Sequence, residues 1–154
     1  MVFKSETYGN VTEEEMFDIL EEKLTGRNDY TIHVGSDSQS YGQTNLVTVI
    51  LVRWHKNGGF FFSHKQRIKR IENLQHKIQT ETDASIKLGT RLKDELIDRE
   101  MLNSEVSIDL DIGRNGPTKQ LIKPIVGWVL GMGFSYNIKP ESYAASCVAD
   151  RISK

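Results

Sequence analysis

The spacing of apolar residues changes near residue 70, and this change constrains the fold more than any other feature of the sequence. Residues 30–68 contain three stretches rich in β-branched and aromatic residues, separated by turns that contain glycine. From about Ile71 to Met101 the apolar residues instead recur every three or four positions, as on one face of a helix. The sequence therefore predicts three consecutive strands followed by a long helix.

Turn chemistry separates the three strands, which we expect over residues 30–37, 45–54 and 60–68. The first turn is predicted over residues 38–42. The second contains Asn57-Gly58, a pair that accepts the positive φ angles of a tight hairpin. Both connections are short, so we expect the three strands to form an antiparallel meander.

The rest of the chain alternates strands and helices. After the long helix we expect a strand over 105–113, a helix over 117–130, a short strand over 134–138 and a terminal helix over 141–153. At the other end, Thr12 and Glu15 have the spacing of a capping box and begin a helix over about 12–25. We predict one α/β domain over residues 1–154, with residues 1–29 as an N-terminal helical extension. Its core is a mixed five-stranded sheet, three antiparallel strands followed by βα units, flanked by helices.

Composition excludes several classes of protein. The 154 residues are 38% hydrophobic and 27% charged, as in ordinary globular domains. No apolar run approaches the ~20 residues of a membrane-spanning helix, and the N-terminus lacks the apolar segment of a signal peptide. The single Cys147 rules out an intramolecular disulfide and a multi-cysteine zinc site. We therefore expect a cytoplasmic protein with no membrane partner.

Charge is distributed unevenly although the formal net charge is only −1. Residues 53–77 contain seven basic side chains and one acidic side chain. Within them, Lys65, Arg67 and Lys69 alternate along the third strand and are predicted to contact a phosphate backbone from one face. Lysines also protect exposed sheet edges, so both interpretations are open at this point.

Five acidic residues occupy positions where a structural explanation is incomplete. Asp37 ends the first predicted strand, and Glu81 lies in the middle of the apolar stripe of the long helix. Asp109 and Asp111 are two residues apart in one predicted strand and therefore share a face, and Asp150 lies in the terminal helix. Singly, each also fits an ordinary turn or surface role. Together they form an oxygen-only set that suits Mg²⁺ or Mn²⁺.

The order of the predicted elements and the positions of these acids make residues 30–154 resemble the ribonuclease H-like superfamily. Its β-β-β-α-β-α-β-α order matches the predicted elements, and its acids end the first strand, lie in the first long helix, end the fourth strand and lie in the terminal helix. The resemblance implies catalytic and metal-binding roles for Asp37, Glu81, Asp111 and Asp150. Asp109 stays an alternative metal ligand because the predicted strand contains two acids.

Three short segments are similar to the bacterial YkuK-type family. They are Gly-Ser-Asp-Ser-Gln at 35–39, Asp-Ile-Gly at 111–113, and Lys-Pro-Glu-Ser-Tyr-Ala-Ala-Ser at 139–146 followed by Ala-Asp at 149–150. That family is placed with the ribonuclease H-like fold. The resemblance does not supply a substrate.

The leading interpretation is a nuclease that hydrolyses phosphodiester bonds of RNA, DNA or a hybrid with two Mg²⁺ or Mn²⁺ ions. The alternative is a non-catalytic module that keeps the fold and binds nucleic acid or protein. A phosphatase using Asp109-Leu110-Asp111 is disfavoured because that motif normally opens its fold, whereas here three strands and a helix precede it. His33 shares a strand face with Asp37 and is either a proton-transfer group or a packing residue.

Overall fold

One mixed sheet of seven strands organises the chain, which the computed structural model describes over residues 1–154. In chain order the elements are β1 (Val2–Ser5), β2 (Gly9–Thr12), α1 (Glu13–Leu24), β3 (Tyr30–Tyr41), β4 (Gln43–Trp54), β5 (Gly59–Ile68), α2 (Leu74–Asp98), β6 (Val106–Asp109), α3 (Ile122–Gly131), β7 (Ser135–Asn137) and α4 (Asp150–Ser153). A 3₁₀ turn (Lys119–Leu121) precedes α3, and a π-helical segment (Ala144–Ala149) precedes α4. Residues 144–153 are called the C-terminal helix below.

The strand order is β2-β1-β5-β4-β3-β6-β7. Strands β3, β4 and β5 pair in antiparallel fashion, which confirms the predicted meander, and β6 joins β3 and β7 in parallel. The α/β class and the flanking helices are as expected. The number of strands is not, because the sheet has seven strands instead of five.

The two additional strands come from residues predicted as a helical extension. β1 and β2 form an antiparallel hairpin, and β1 also pairs with β5 at Lys4 and Ser63. Each strand has only four residues, too few for an alternating pattern to stand out. The buried side chains of Phe3 and Val11 join the main core.

Helix α1 begins with the predicted capping box. The Thr12 hydroxyl accepts from the Glu15 amide at 3.1 Å, and the Glu15 carboxylate accepts from the Thr12 amide at 3.0 Å. The acidic face of α1 is held by arginines of α2 and its C-cap: Arg91 pairs with Glu13, and Arg99 pairs with Glu14, Asp18 and Glu21. The excess of acids near the N-terminus therefore serves to dock α1 on α2.

The first hairpin is longer than predicted. β3 continues through residues 38–41, and the turn consists of Gly42, whose φ of +90° is a conformation that favours glycine. Asp37 therefore lies within β3, opposite Val47, and not at the end of the strand. Residues 36–40 have the polar composition of a loop, although Ser36, Asp37 and Ser38 are buried.

The later elements are shorter than predicted. β6 ends at Asp109, so Asp111 lies beyond the strand, and α3 starts at Ile122, five residues after Pro117. A proline lacks the amide that a regular helix uses, and here Pro117 precedes the 3₁₀ turn while Pro124 lies in the first turn of α3. The chain contains no helix with the length and apolar character needed to cross a bilayer.

The two faces of the sheet are covered by different elements. Helices α1, α2 and α3 share one core with apolar residues such as Val34 and Ile50, whereas the C-terminal helix packs on the other face against Val47 and Val49. Gly35 permits this second contact. A Cβ atom at that position would lie 2.5 Å from the amide nitrogen of Ala145. The C-terminal helix therefore lies directly on β3, next to Asp37.

Candidate metal centre

The early end of β6 leaves an opening beside β3. The last parallel pair joins Gly35 to Asp109, so no strand pairs with β3 on that side at Asp37 and Ser38. Glu81 of α2 reaches into this opening and accepts from the Ser38 amide at 2.8 Å and from the Ser38 hydroxyl at 2.6 Å. A carboxylate thus satisfies a backbone amide that has no neighbouring strand to bond. This contact explains why Glu81 lies in a buried stripe.

Three carboxylates meet at the opening. Asp37, Glu81 and Asp111 each offer one oxygen, and these three atoms lie within 4.8 Å of one another. Asp37 and Glu81 are only 1% and 4% exposed, whereas Asp111 is partly exposed. The acids come from β3, from α2 and from the segment after β6, so the fold itself brings them together.

Neighbouring hydroxyl and amide groups orient these carboxylates. Asp37 accepts from the hydroxyl of Ser153 at 2.6 Å and from the side-chain amide of Gln39 at 3.1 Å, both through Oδ2. Asp111 accepts from the Ser146 hydroxyl at 2.8 Å through Oδ1. Both serines belong to the C-terminal helix. Packing of that helix on Gly35 therefore also fixes the orientations of the Asp37 and Asp111 carboxylates.

Two lysines also contact the acids. The ammonium group of Lys77 lies 2.5 Å from Oε2 of Glu81 and 3.4 Å from Oδ1 of Asp37, and it donates to the Ser38 carbonyl at 2.7 Å. Lys139 lies 3.2 Å from Oδ1 of Asp111. The centre therefore combines three negative groups with two positive ones.

Burial dominates the electrostatics of the centre. Loss of solvation raises the pKa of Glu81 to about 7, against the opposing effect of Lys77 and of the Ser38 hydrogen bonds. Loss of solvation also raises the pKa of Asp37, opposed by Ser153 and Lys77. Burial alone would lower the pKa of Lys77, but attraction to Glu81 and Asp37 outweighs it and raises that pKa. The acids therefore need a positive partner to stay ionised.

Asp109 belongs to a different network. Its Oδ1 accepts from Asn137 at 2.9 Å and lies 3.0 Å from Nδ1 of His33, and its Oδ2 accepts from the Ala144 amide at 2.9 Å. Asp109 is not in the group of three, and its oxygens contact protein groups, so its role as an alternative metal ligand stays a prediction. Because β6 ends at Asp109, strand alternation does not extend to Asp111. His33 packs against Asp109 and Thr31 and makes no contact with the three acids.

The fourth predicted ligand, Asp150, is not in the group of three either. Its carboxylate is paired with Lys154 at 3.0 Å, and its main-chain carbonyl accepts from Ser153, which in turn donates to Asp37. Ser153 thus connects Asp150 to Asp37 through two hydrogen bonds. A ligand role for Asp150 stays a prediction.

Two of the three predicted basic residues lie on the same face of the sheet as Asp37. In the antiparallel register Asp37 is opposite Val47, which is opposite Lys65, and Gln39 is aligned in the same way with Arg67. Lys65 and Arg67 are exposed, and Lys69 lies just beyond the end of β5.

Sequence reasoning missed Lys77, Ser146 and Ser153. A signal existed for Lys77, since it precedes Glu81 by four residues on one helix and such pairs are neighbours. The two serines carried no signal of their own. Their contacts depend on the close packing of the C-terminal helix.

The donor set fits a hard divalent cation. All candidate ligands are oxygens, the type that Mg²⁺ and Mn²⁺ prefer. The second oxygens of Glu81 and Asp111 accept none of the hydrogen bonds described above, and Oδ1 of Asp37 is contacted by Lys77 at 3.4 Å. Gathering three carboxylates without a cation is unfavourable because like charges repel.

Comparison with known proteins agrees with the fold. The profile of the family described as "Ribonuclease H-like" matches residues 15–154. The chain is 31% identical over 140 residues to "Uncharacterized protein YkuK" of Bacillus subtilis (strain 168), an alignment covering 83% of this chain and 81% of that protein. No solved structure gives a significant match. The chain therefore belongs to the ribonuclease H-like family, and it is similar to YkuK, as the sequence motifs predict.

Proposed function

We propose that this protein is a nuclease that depends on Mg²⁺ or Mn²⁺ and hydrolyses phosphodiester bonds in RNA or DNA. The observation that carries the proposal is the convergence of Asp37, Glu81 and Asp111 from three separate elements, with two of them almost fully buried. Burying carboxylates together is costly. Metal-ion chemistry gives this arrangement a purpose that packing does not.

The proposed roles follow from the contacts of each acid. A bound divalent ion supplies Lewis acidity toward a phosphodiester and lowers the pKa of water. Asp37, Glu81 and Asp111 hold the ion, and Ser153 and Ser146 fix the directions of Asp37 and Asp111 by donating to them. Asp150 is proposed as a further ligand that becomes available if its pairing with Lys154 opens.

A nucleic-acid path leads across the sheet toward these acids. Lys65 lies two strands from Asp37 on one face, and adjacent strands are separated by ~4.8 Å, so the backbones are roughly 10 Å apart. Lys65 and Arg67, with Lys69 just beyond the strand, are proposed to bind the phosphates that flank the scissile bond. The partner is therefore RNA, DNA or a hybrid of the two. The single-domain organisation and the cytoplasmic location stay predictions.

The test is cleavage of labelled single strands, duplexes and RNA–DNA hybrids in Mg²⁺ or Mn²⁺. We expect the wild-type protein to cleave at least one of these substrates and to be inactive in EDTA. Asp37→Asn should reduce the rate by more than the roughly 10–100-fold that loss of an outer-sphere partner costs. The control is Asp83→Asn, which removes a half-exposed carboxylate of α2 outside the group of three acids and should leave the rate unchanged.

A second candidate function is a binding module without catalysis. The ion pairs of Lys77 and Lys139 favour it, because they supply positive charge to the acids without any metal. This alternative predicts no cleavage of any substrate and undiminished nucleic-acid binding by Asp37→Asn. That result would contradict the nuclease proposal.

A further inference from the structure

The ammonium group of Lys77 is surrounded by the kinds of oxygen that bind hard cations. Its neighbours are Oε2 of Glu81 at 2.5 Å, the main-chain carbonyl and hydroxyl of Ser38 at 2.7 and 3.2 Å, and Oδ1 of Asp37 at 3.4 Å. Carboxylate, carbonyl and hydroxyl oxygens of this kind are the usual ligands of Mg²⁺, Mn²⁺ and Ca²⁺. A positive charge of the chain itself thus occupies the space between Asp37 and Glu81.

The burial of Lys77 distinguishes this contact from an ordinary surface ion pair. Helix α2 contains a second lysine–carboxylate pair at the same spacing, Lys87 with Asp83, whose side chains are 70% and 46% exposed. In the pair formed by Lys77 and Glu81 the exposures are 27% and 5%. Exposed pairs at this spacing contribute little, whereas removing one member of a buried pair leaves an uncompensated charge. Lys77 is therefore held in place and is not easily displaced.

The other lysine leaves its side of the centre accessible. Lys139 contacts Asp111 at 3.2 Å, but its side chain is 49% exposed and can return to solvent at low cost. Only the space between Asp37 and Asp111 is then available to an ion. The three carboxylates and Lys77 together have a formal charge of −2, which one divalent cation balances.

We infer that Lys77 acts as a resident cation between Asp37 and Glu81, so that the protein binds one divalent ion, between Asp37 and Asp111, and not two. This inference rests on the proposed metal-binding function and refines it. Lys77 is a positioning residue because it acts through Asp37 and Glu81. A neutral residue at position 77 should open the second ion site.

The test is the number of Mn²⁺ ions bound per chain, measured by isothermal titration calorimetry on the 154-residue protein. We expect one ion for the wild-type protein and two for Lys77→Gln. Lys77→Arg retains the positive charge and should bind one ion. Lys87→Gln, the matched variant on the exposed pair of the same helix, should also bind one.

Melting curves in EDTA and in Mn²⁺ provide a readout independent of activity. The melting temperature of Lys77→Gln in EDTA should be below that of the wild-type protein. Mn²⁺ should raise the melting temperature of Lys77→Gln by more than it raises that of the wild-type protein. Two ions in the wild-type protein would overturn the inference even if Lys77→Gln failed to fold. One ion in both proteins would overturn it too, while the metal-binding proposal would stand. Absence of Mn²⁺ binding in every variant would instead contradict the metal-binding proposal itself, and the inference with it.

Discussion

Asp109 and Asp111 are two residues apart, yet they have opposite environments. Asp109 is fully buried, and its two oxygens bind His33, Asn137 and the Ala144 amide. Asp111 is partly exposed, contacts Ser146 and the half-exposed Lys139, and lies within reach of two other carboxylates. The end of β6 at Asp109 separates the two environments.

The difference shows how two aspartates in one short segment can have different surroundings, one enclosed by protein donors and the other beside two further carboxylates. The oxygens of Asp109 are hydrogen-bonded to protein groups. This acid therefore links β6, β3, β7 and the C-terminal helix. Asp111 keeps an oxygen free in a cluster whose charges repel, which favours a cation over further packing. We therefore expect stability to depend on Asp109 and metal binding to depend on Asp111.

The largest expected effect is on the stability of Asp109→Asn. The substitution places an amide where three donors converge, so the free energy of unfolding should fall by about 3–4 kcal/mol. The free energy of unfolding of Asp111→Asn in EDTA should lie within about 1 kcal/mol of the wild-type value, because the substitution relieves repulsion. This variant should also bind Mn²⁺ weakly. Urea denaturation in EDTA measures both values. Equal losses of stability in the two variants would remove the distinction between these acids.

The pH dependence of stability sharpens the comparison on the side of the metal centre. The pKa of Glu81 is about 7 in the folded protein, against an ordinary value of 4.5. Between these two pH values the folded state therefore binds more protons than the unfolded state. The free energy of unfolding in EDTA should therefore fall as pH rises from about 4.5 to about 7, by on the order of 3 kcal/mol. Asp37, whose pKa is also raised, changes stability in the same direction.

Denaturation at a series of pH values tests this dependence. Glu81→Gln should flatten the slope over this range, and Asp109→Asn should retain it. A slope that survives in Glu81→Gln would show that another group causes it.

The smallest expected effects concern the partners of the two acids. Asn137→Ala removes one hydrogen bond from Asp109 and should cost about 1 kcal/mol of stability without changing Mn²⁺ affinity. Ser146→Ala removes the donor to Asp111 and should lower Mn²⁺ affinity about tenfold, with little change in stability. Denaturation and calorimetric titration of the two variants provide the comparison. A loss of Mn²⁺ affinity in Asn137→Ala would link the two networks.

The sequence predicted the meander and α2 because long elements have clear periods, and it singled out Glu81 because a carboxylate interrupts the apolar stripe of α2. It could not predict β1 and β2, whose pattern is too short, or the length of β3, whose second half is polar. The different surroundings of Asp109 and Asp111 depend on where β6 ends, which alternation along the strand does not reveal. The position of Lys77 depends on the convergence of α2 and β3, a property of the folded protein alone.

The hairpin of β1 and β2 has a consequence for any shortened form of the protein. The family profile begins at residue 15, after this hairpin, yet β1 pairs with β5 and covers that strand over part of its length. A fragment cut at the start of the profile would lose the pairing of β1 with β5 at Ser63 and the stacking of Tyr8 on Phe62. Exposed strand edges recruit other chains, so such a fragment would tend to self-associate and precipitate.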